Sequence, residues 1–160
     1  MKKLWAALGI FIFWALWPVF YIISLRGNTR SRVLVVVGDE FLLVKNWVSL
    51  GEWSLPGGGT KKSEQTKSGA VRELEEEVGI VTPESNLVRL GASTRKKNGI
   101  KVRAEFYCVE FSEKPQIKRQ KLEIQDAHWI PLDRADEYNL GNDTKFALKR
   151  YRRPEQSSLL

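Results

Sequence analysis

Residues 58–80 read GGTKKSEQTKSGAVRELEEEVGI. Five residues separate Gly58 from Glu64, and seven separate Glu64 from Arg72. Arg72-Glu73-Leu74 then leads into Glu76-Glu77 and Gly79-Ile80. On a helix each residue turns by about 100°, so Glu73, Glu76 and Glu77 share one arc roughly 100° wide. Ala70, Val71, Leu74 and Val78 share a second arc of similar width. One face can pack against a core while the other gathers carboxylates. Carboxylates three and four residues apart repel each other, and hard divalent cations, which prefer oxygen ligands, relieve that repulsion. Gly69 points toward the carboxylate arc and leaves room there. Gly79 is suited to end the helix in a left-handed conformation. A bare ELEEE run is ordinarily a solvated face; Gly58, Glu64, Arg72 and Gly79 around it argue for a site.

The spacing fits GX5EX7REUXEEXGU, with U apolar, at every fixed position, and the segment resembles the Nudix hydrolases. The resemblance implies an α/β/α sandwich with a mixed β-sheet. It also implies hydrolysis of a nucleoside diphosphate linked to another moiety. Carried over by position, it implies Glu73, Glu76 and Glu77 as metal-binding and catalytic carboxylates. The backbone carbonyl of Gly57 is implied as a further ligand, and Glu64 as a ligand through water or an orienting group. The implied cation is Mg2+, with Mn2+ as the alternative. Such a cation neutralises the diphosphate, polarises a phosphoryl oxygen and lowers the pKa of water. Arg72 is expected to pair with a carboxylate and stiffen the loop–helix junction, with Gly58 and Gly79 serving backbone geometry. A base or further ligand is expected from a later loop. Glu123, six residues before Trp129 in KLEIQDAHWIPL, is that candidate, with Glu105 and Glu110 as alternatives. A non-catalytic nucleotide or metabolite sensor of the same fold is the competing reading.

The chain has 160 residues, 28% of them charged, which suits one domain plus an appendage. Leu4–Leu25, LWAALGIFIFWALWPVFYIISL, contains no charged residue. As a helix it spans about 33 Å, enough for the ~30 Å hydrocarbon core. We therefore expect residues 1–26 to be a single transmembrane anchor with basic flanks, touching lipid through residues 4–25. Its rival is a cleavable signal peptide, whose removal would release a secreted or periplasmic enzyme. The apolar stretch exceeds a usual h-region, and IISLRGN lacks a small-x-small cleavage site. Positive charges on both sides encode orientation weakly. A nucleotide-type substrate and unpaired cysteine favour a cytoplasmic catalytic domain. The net charge of +7 draws on Lys2, Lys3, Arg26, Arg30 and Arg32, read here as a basic juxtamembrane strip facing lipid headgroups. No nucleic-acid motif is evident, and nucleic acid is not expected as a partner. The sequence sets no oligomeric state.

Residues 27–31 read as a polar linker, 32–152 as the Nudix domain and 153–160 as a disordered tail. Strands are expected at Val33–Val37, Phe41–Lys45, Leu87–Ser93, Val102–Phe111 and Ala127–Ile130. The motif helix is expected from about Gln65 to Val78. A last helix is expected after Asn142-Asp143, read as a capping pair. Cys108, in AEFYCVEF, reads as a buried inert thiol, and His128 as a strand residue without a metal role. Trp47, Trp53 and Phe106 are candidates to stack on a base, although aromatics in this setting are more often core. Arg95, Lys96 and Lys97 suit phosphates or a solvated loop. No secondary motif names the substrate.

Overall fold

The computed structural model of the chain describes residues 26–47, 49, 51–97 and 100–151. The apolar segment Leu4–Leu25 and the tail from Arg152 lie outside them. Among the described residues, no helix is long and apolar enough to cross a membrane.

Among the described residues, seven strands form one mixed sheet: β1 (Arg26–Val37), β2 (Glu40–Asn46), β3 (Trp53–Ser54), β4 (Gly59–Lys61), β5 (Val88–Lys97), β6 (Ile100–Phe111) and β7 (Ile124–Pro131). The central order is β3-β2-β1-β6-β5, with β4 added to β1 and β7 to β2. β1 and β6 are parallel, and the other pairs are antiparallel. Helix α1 (Thr66–Val78) covers one face and α2 (Asn142–Arg150) packs against the other.

β1 shows why the sheet sits between helices. Val33 and Val35 join Ala70, Leu74 and Val78 of α1, whereas Leu34 and Val36 join Phe106, Cys108 and Ala147 on the opposite side. Both faces are dry, which is what a continuous apolar run of β-branched residues requires. Leu42 and Val44 of β2 repeat the division against Phe41 and Leu43.

Two expectations are corrected. Residues 27–31 are not a linker but part of β1: Thr29, Arg30 and Ser31 sit in register with Arg103, Ala104 and Glu105. Pairing with a strand some seventy positions later supplies the partners that local composition cannot reveal. Likewise Asn142-Asp143 is no capping pair. Gly141 occupies the cap position without a side-chain hydrogen bond, and Asp143 instead pairs with Arg95 at 2.5 Å. Cys108 is buried as expected, and burial pushes its thiol up to about 12.

Candidate active site

The loop between β3 and β4 and the start of α1 are built around two glycines. Gly57 has φ +131, and a Cβ there would lie 2.3 Å from the carbonyl oxygen of Ser31. Ser31 N–H in turn donates to the Gly58 carbonyl at 2.9 Å, and Val33 N–H to the Pro56 carbonyl at 3.0 Å. The loop thus lies directly on β1. At Gly58 a Cβ would meet the Glu73 carboxylate at 2.3 Å, so the absent side chain is the space that Glu73 fills. A Cβ on Gly69 would stand 2.8 Å from the Thr60 methyl and 3.1 Å from Glu64 Oε2, so this position faces the segment that leads into the helix.

The three motif carboxylates differ in environment. Glu73 and Glu77 are buried, at 4% and 3% exposure, whereas the Glu76 side chain is half exposed. Glu77 Oε2 accepts the Gly57 N–H at 2.7 Å. Burial pushes its carboxyl up to about 7, against the pull of the Gly57 N–H and nearby Arg32. Glu73 and Glu123 add to the upward push, which places Glu123 within electrostatic reach of Glu77.

Arg72 ties the rest together. Its Nε donates to Glu64 Oε1 at 2.9 Å, and its Nη1 donates to both Glu73 (2.7 Å) and Glu76 (2.9 Å). Its Nη2 donates to the Gly59 carbonyl and to Glu64 Oε2. Hydrogen bonding to Glu64 leads the causes that raise its pKa. The same bond holds Glu64 below the usual carboxylate range, against burial. Lys61 N–H takes a place on Glu64 Oε2 as well. Arg72 thus pairs with three carboxylates and one backbone carbonyl across the loop–helix junction.

Glu123 arrives by a different route. The last carbonyls of any helix lack partners within it. Here Lys118 N–H donates to Val78 O at 2.8 Å and Gln120 N–H to Glu77 O at 2.9 Å, so the loop after β6 satisfies the end of α1. Gly79, at φ 72, ends the helix as expected, and its bare Cα admits Lys118. Glu123 follows three residues beyond Gln120 and remains exposed. The two alternatives to it are engaged by other side chains. Glu105 is buried between Arg89 and Arg103, whose hydrogen bonds outweigh desolvation and lower its pKa. Glu110 accepts the Tyr151 hydroxyl at 2.8 Å.

Arg32 is the residue that sequence reasoning misplaced. It is not part of a lipid-facing strip: its Nη1 donates to the carbonyls of Gly57 and Leu55. The Gly57 carbonyl, expected as a metal ligand, is thus already engaged by a guanidinium. No periodicity signals this, because β1 meets residues 55–58 only through tertiary contact.

The expected aromatics separate. Phe106 is fully buried and stacks on Phe146 at 4.7 Å, so it cannot reach a ligand. Trp53 packs against His128 and Tyr138. Trp47 is 61% exposed; its backbone N–H donates to the Glu123 carbonyl at 3.3 Å and its indole Nε1 to the Lys121 carbonyl at 3.2 Å. His128 packs on Trp53 and its Nε2 lies 3.1 Å from Asp126 Oδ2.

The donor set fits a hard divalent cation in its chemistry. It is all oxygen, and buried Glu77 has less counter-charge than an ionised carboxylate needs. Among the described residues, no three acidic, imidazole or thiol groups stand ready as a cage, and Arg72 supplies the positive charge between Glu64, Glu73 and Glu76. Glu76, being exposed, is the carboxylate with room to turn.

The NUDIX domain family matches residues 27–152. The chain is 36% identical over 106 residues to Nudix hydrolase 6 of Arabidopsis thaliana, covering 66% of this chain and 36% of that protein. It is 30% identical over 108 residues to Nudix hydrolase 7 of the same plant, covering 68% and 36%. The chain therefore spans about a third of the length of these relatives. Among solved structures, it is similar to a MutT NUDIX hydrolase from Burkholderia pseudomallei, with TM-score 0.69 and 23% identity over 78% of this chain and 97% of that one. It is also similar to the NUDIX domain of Shewanella oneidensis NrtR complexed with ADP ribose, with TM-score 0.67 and 20% identity over 82% and 88%. With its carboxylate helix folded against the paired glycines and the domain matched along most of its length, the chain belongs to the Nudix family.

Proposed function

We propose that the chain is a Mg2+-dependent diphosphohydrolase acting on a nucleoside-diphosphate-linked small molecule. We further propose that Leu4–Leu25 holds it in a membrane as a single-pass protein with the catalytic domain on the cytoplasmic side. The observation that carries the enzyme reading is the arrangement of Glu73 and Glu77, buried against Gly58 and Gly57. Exposed Glu76 lies on the same helix, and Glu123 is brought across from another loop.

Glu73, Glu76 and Glu77 would hold the cation, Mg2+ or in its place Mn2+, which neutralises the diphosphate and makes water a better nucleophile. The Gly57 carbonyl would join as a further ligand once Arg32 gives way. The chain's own groups do the positioning. Gly57 N–H fixes one Glu77 oxygen, and Arg72 fixes Glu73 through a nitrogen that also reaches Glu76. Water attacks phosphorus, the bridging P–O bond breaks, and two phosphate products leave. The Glu123 carboxylate accepts the proton from the attacking water. Trp47, exposed beside Glu123, offers an indole face on which a nucleobase stacks.

The test is turnover by the full chain in detergent against nucleoside triphosphates, ADP-ribose, NADH, dinucleoside polyphosphates, nucleotide sugars and prenyl diphosphates, with and without Mg2+. Wild type is compared with Glu76→Gln, a change at an exposed position that leaves the core intact. Mg2+-dependent turnover that the variant loses supports the enzyme reading. Tight nucleotide binding by a folded protein without turnover would replace it with the sensor reading.

A further inference from the structure

We propose that the edge of the domain from which β1 starts is a docking surface for an anionic bilayer. Strand register brings this edge together. β1 and β6 run parallel with Thr29 beside Arg103, so both strands begin at the same edge. β5 runs antiparallel to β6 with Lys96 opposite Lys101 and Lys97 opposite Ile100, so the end of β5 and the start of β6 lie there too. β4 ends there, with Lys61 opposite Arg26. Three segments distant in sequence thereby gather Arg26, Lys61, Lys62, Lys96, Lys97 and Lys101.

The side chains of Lys61, Lys62 and Lys101 are exposed. Nearby acids are already engaged: Glu64 by Arg72, Glu105 by Arg89 and Arg103, and Asp143 by Arg95. The far end of β1 has the opposite character. It lies roughly 35 Å away at about 3.3 Å per residue. A groove there is lined by Asp39, Glu40, Asp133 and Asp136. The domain is polarised along β1, basic where the strand starts and acidic where it ends.

Anionic headgroups attract such lysines within a Debye length of about 10 Å. Lipid is favoured over other polyanions because the sequence just before β1 is the uncharged stretch Leu4–Leu25. The inference rests on the anchored reading proposed above: with that stretch in the bilayer, this is the edge nearest the headgroups. It adds that the folded domain lies on the surface in a defined orientation instead of swinging from its anchor.

The full chain is reconstituted into vesicles of phosphatidylcholine alone or with about one-third phosphatidylserine, and lysine acylation is followed by mass spectrometry. Lys61, Lys62 and Lys101 should label about tenfold more slowly in the anionic vesicles and recover in roughly 0.5 M salt. Lys114, at the acidic end and paired with Glu40, should not change. Equal labelling in both vesicles, with the protein inserted, overturns docking and leaves the anchor intact. If salt washes the protein off neutral vesicles, the anchor is lost and docking is decided on binding to anionic vesicles. Lys61→Glu/Lys62→Glu/Lys101→Glu should then bind about 100-fold more weakly, at roughly fivefold per lysine. Equal binding by variant and wild type overturns the proposal. Protection of the same lysines by a duplex oligonucleotide as strong as that by anionic vesicles also overturns it, in favour of nucleic acid.

Discussion

Glu77 should make the metal-free protein less stable as pH rises. Its carboxyl is buried, and ionisation is deferred from 4.5 to about 7. The unfolded chain loses this proton near 4.5, whereas the folded chain keeps it to about pH 7. The contribution to stability is therefore complete below 4.5, is lost as pH rises through the interval, and is level above about 7. The full interval corresponds to about 3 kcal/mol, of which about 2.5 kcal/mol falls between pH 5 and pH 8. The assay is urea denaturation of the full chain with chelator present, at both pH values, for wild type and Glu77→Gln. The amide keeps an acceptor for Gly57 N–H but does not titrate, so the subtraction removes other groups. Wild type should lose about 2.5 kcal/mol more than the variant between the two pH values. Mg2+ should stabilise wild type far more at pH 8 than at pH 5, because at the lower pH the proton competes for the same oxygen. A wild-type slope no steeper than the variant's, within about 1 kcal/mol, would refute the argument that burial dominates at this carboxylate.

Arg72→Ala should destabilise the fold by about 3 kcal/mol, since it leaves buried Glu73 without its cation; denaturant titration measures this. Phe106→Ala should cost about 3–5 kcal/mol from an emptied core, yet leave the KM of the folded fraction unchanged. Trp47→Ala should raise KM with little change in melting temperature, because the ring is exposed. Glu123→Gln should lower kcat roughly 100-fold with KM little changed; a change in KM alone would deny it the role of base.

Two kinds of sequence information proved readable. Helical spacing is local, so residues 66–78 announced both their buried face and their acidic face, and Gly79 announced the stop. The run Val33–Val37 announced a strand buried on two sides. Where residues depend on partners far along the chain, the reading failed. Thr29–Ser31 looked like a linker because its partners are Arg103–Glu105. Arg32 looked like a flanking charge because the carbonyls it binds come from the loop at 55–57. Asp143 looked like a cap because Arg95 lies on another strand.

The candidate site divides along the same line. The carboxylates, their spacing and the glycines that make room for them are written in residues 57–79, because a helix turns by a constant angle and a missing side chain is visible as a letter. Which carboxylate is buried, which proton is held to neutral pH and which loop delivers Glu123 depend on contacts across the fold. Tertiary structure decided these: Gly57 N–H meets Glu77, Arg72 joins the acidic residues, and the α1 carbonyls capture Lys118 and Gln120. Desolvation and hydrogen bonding act between groups that only folding brings together.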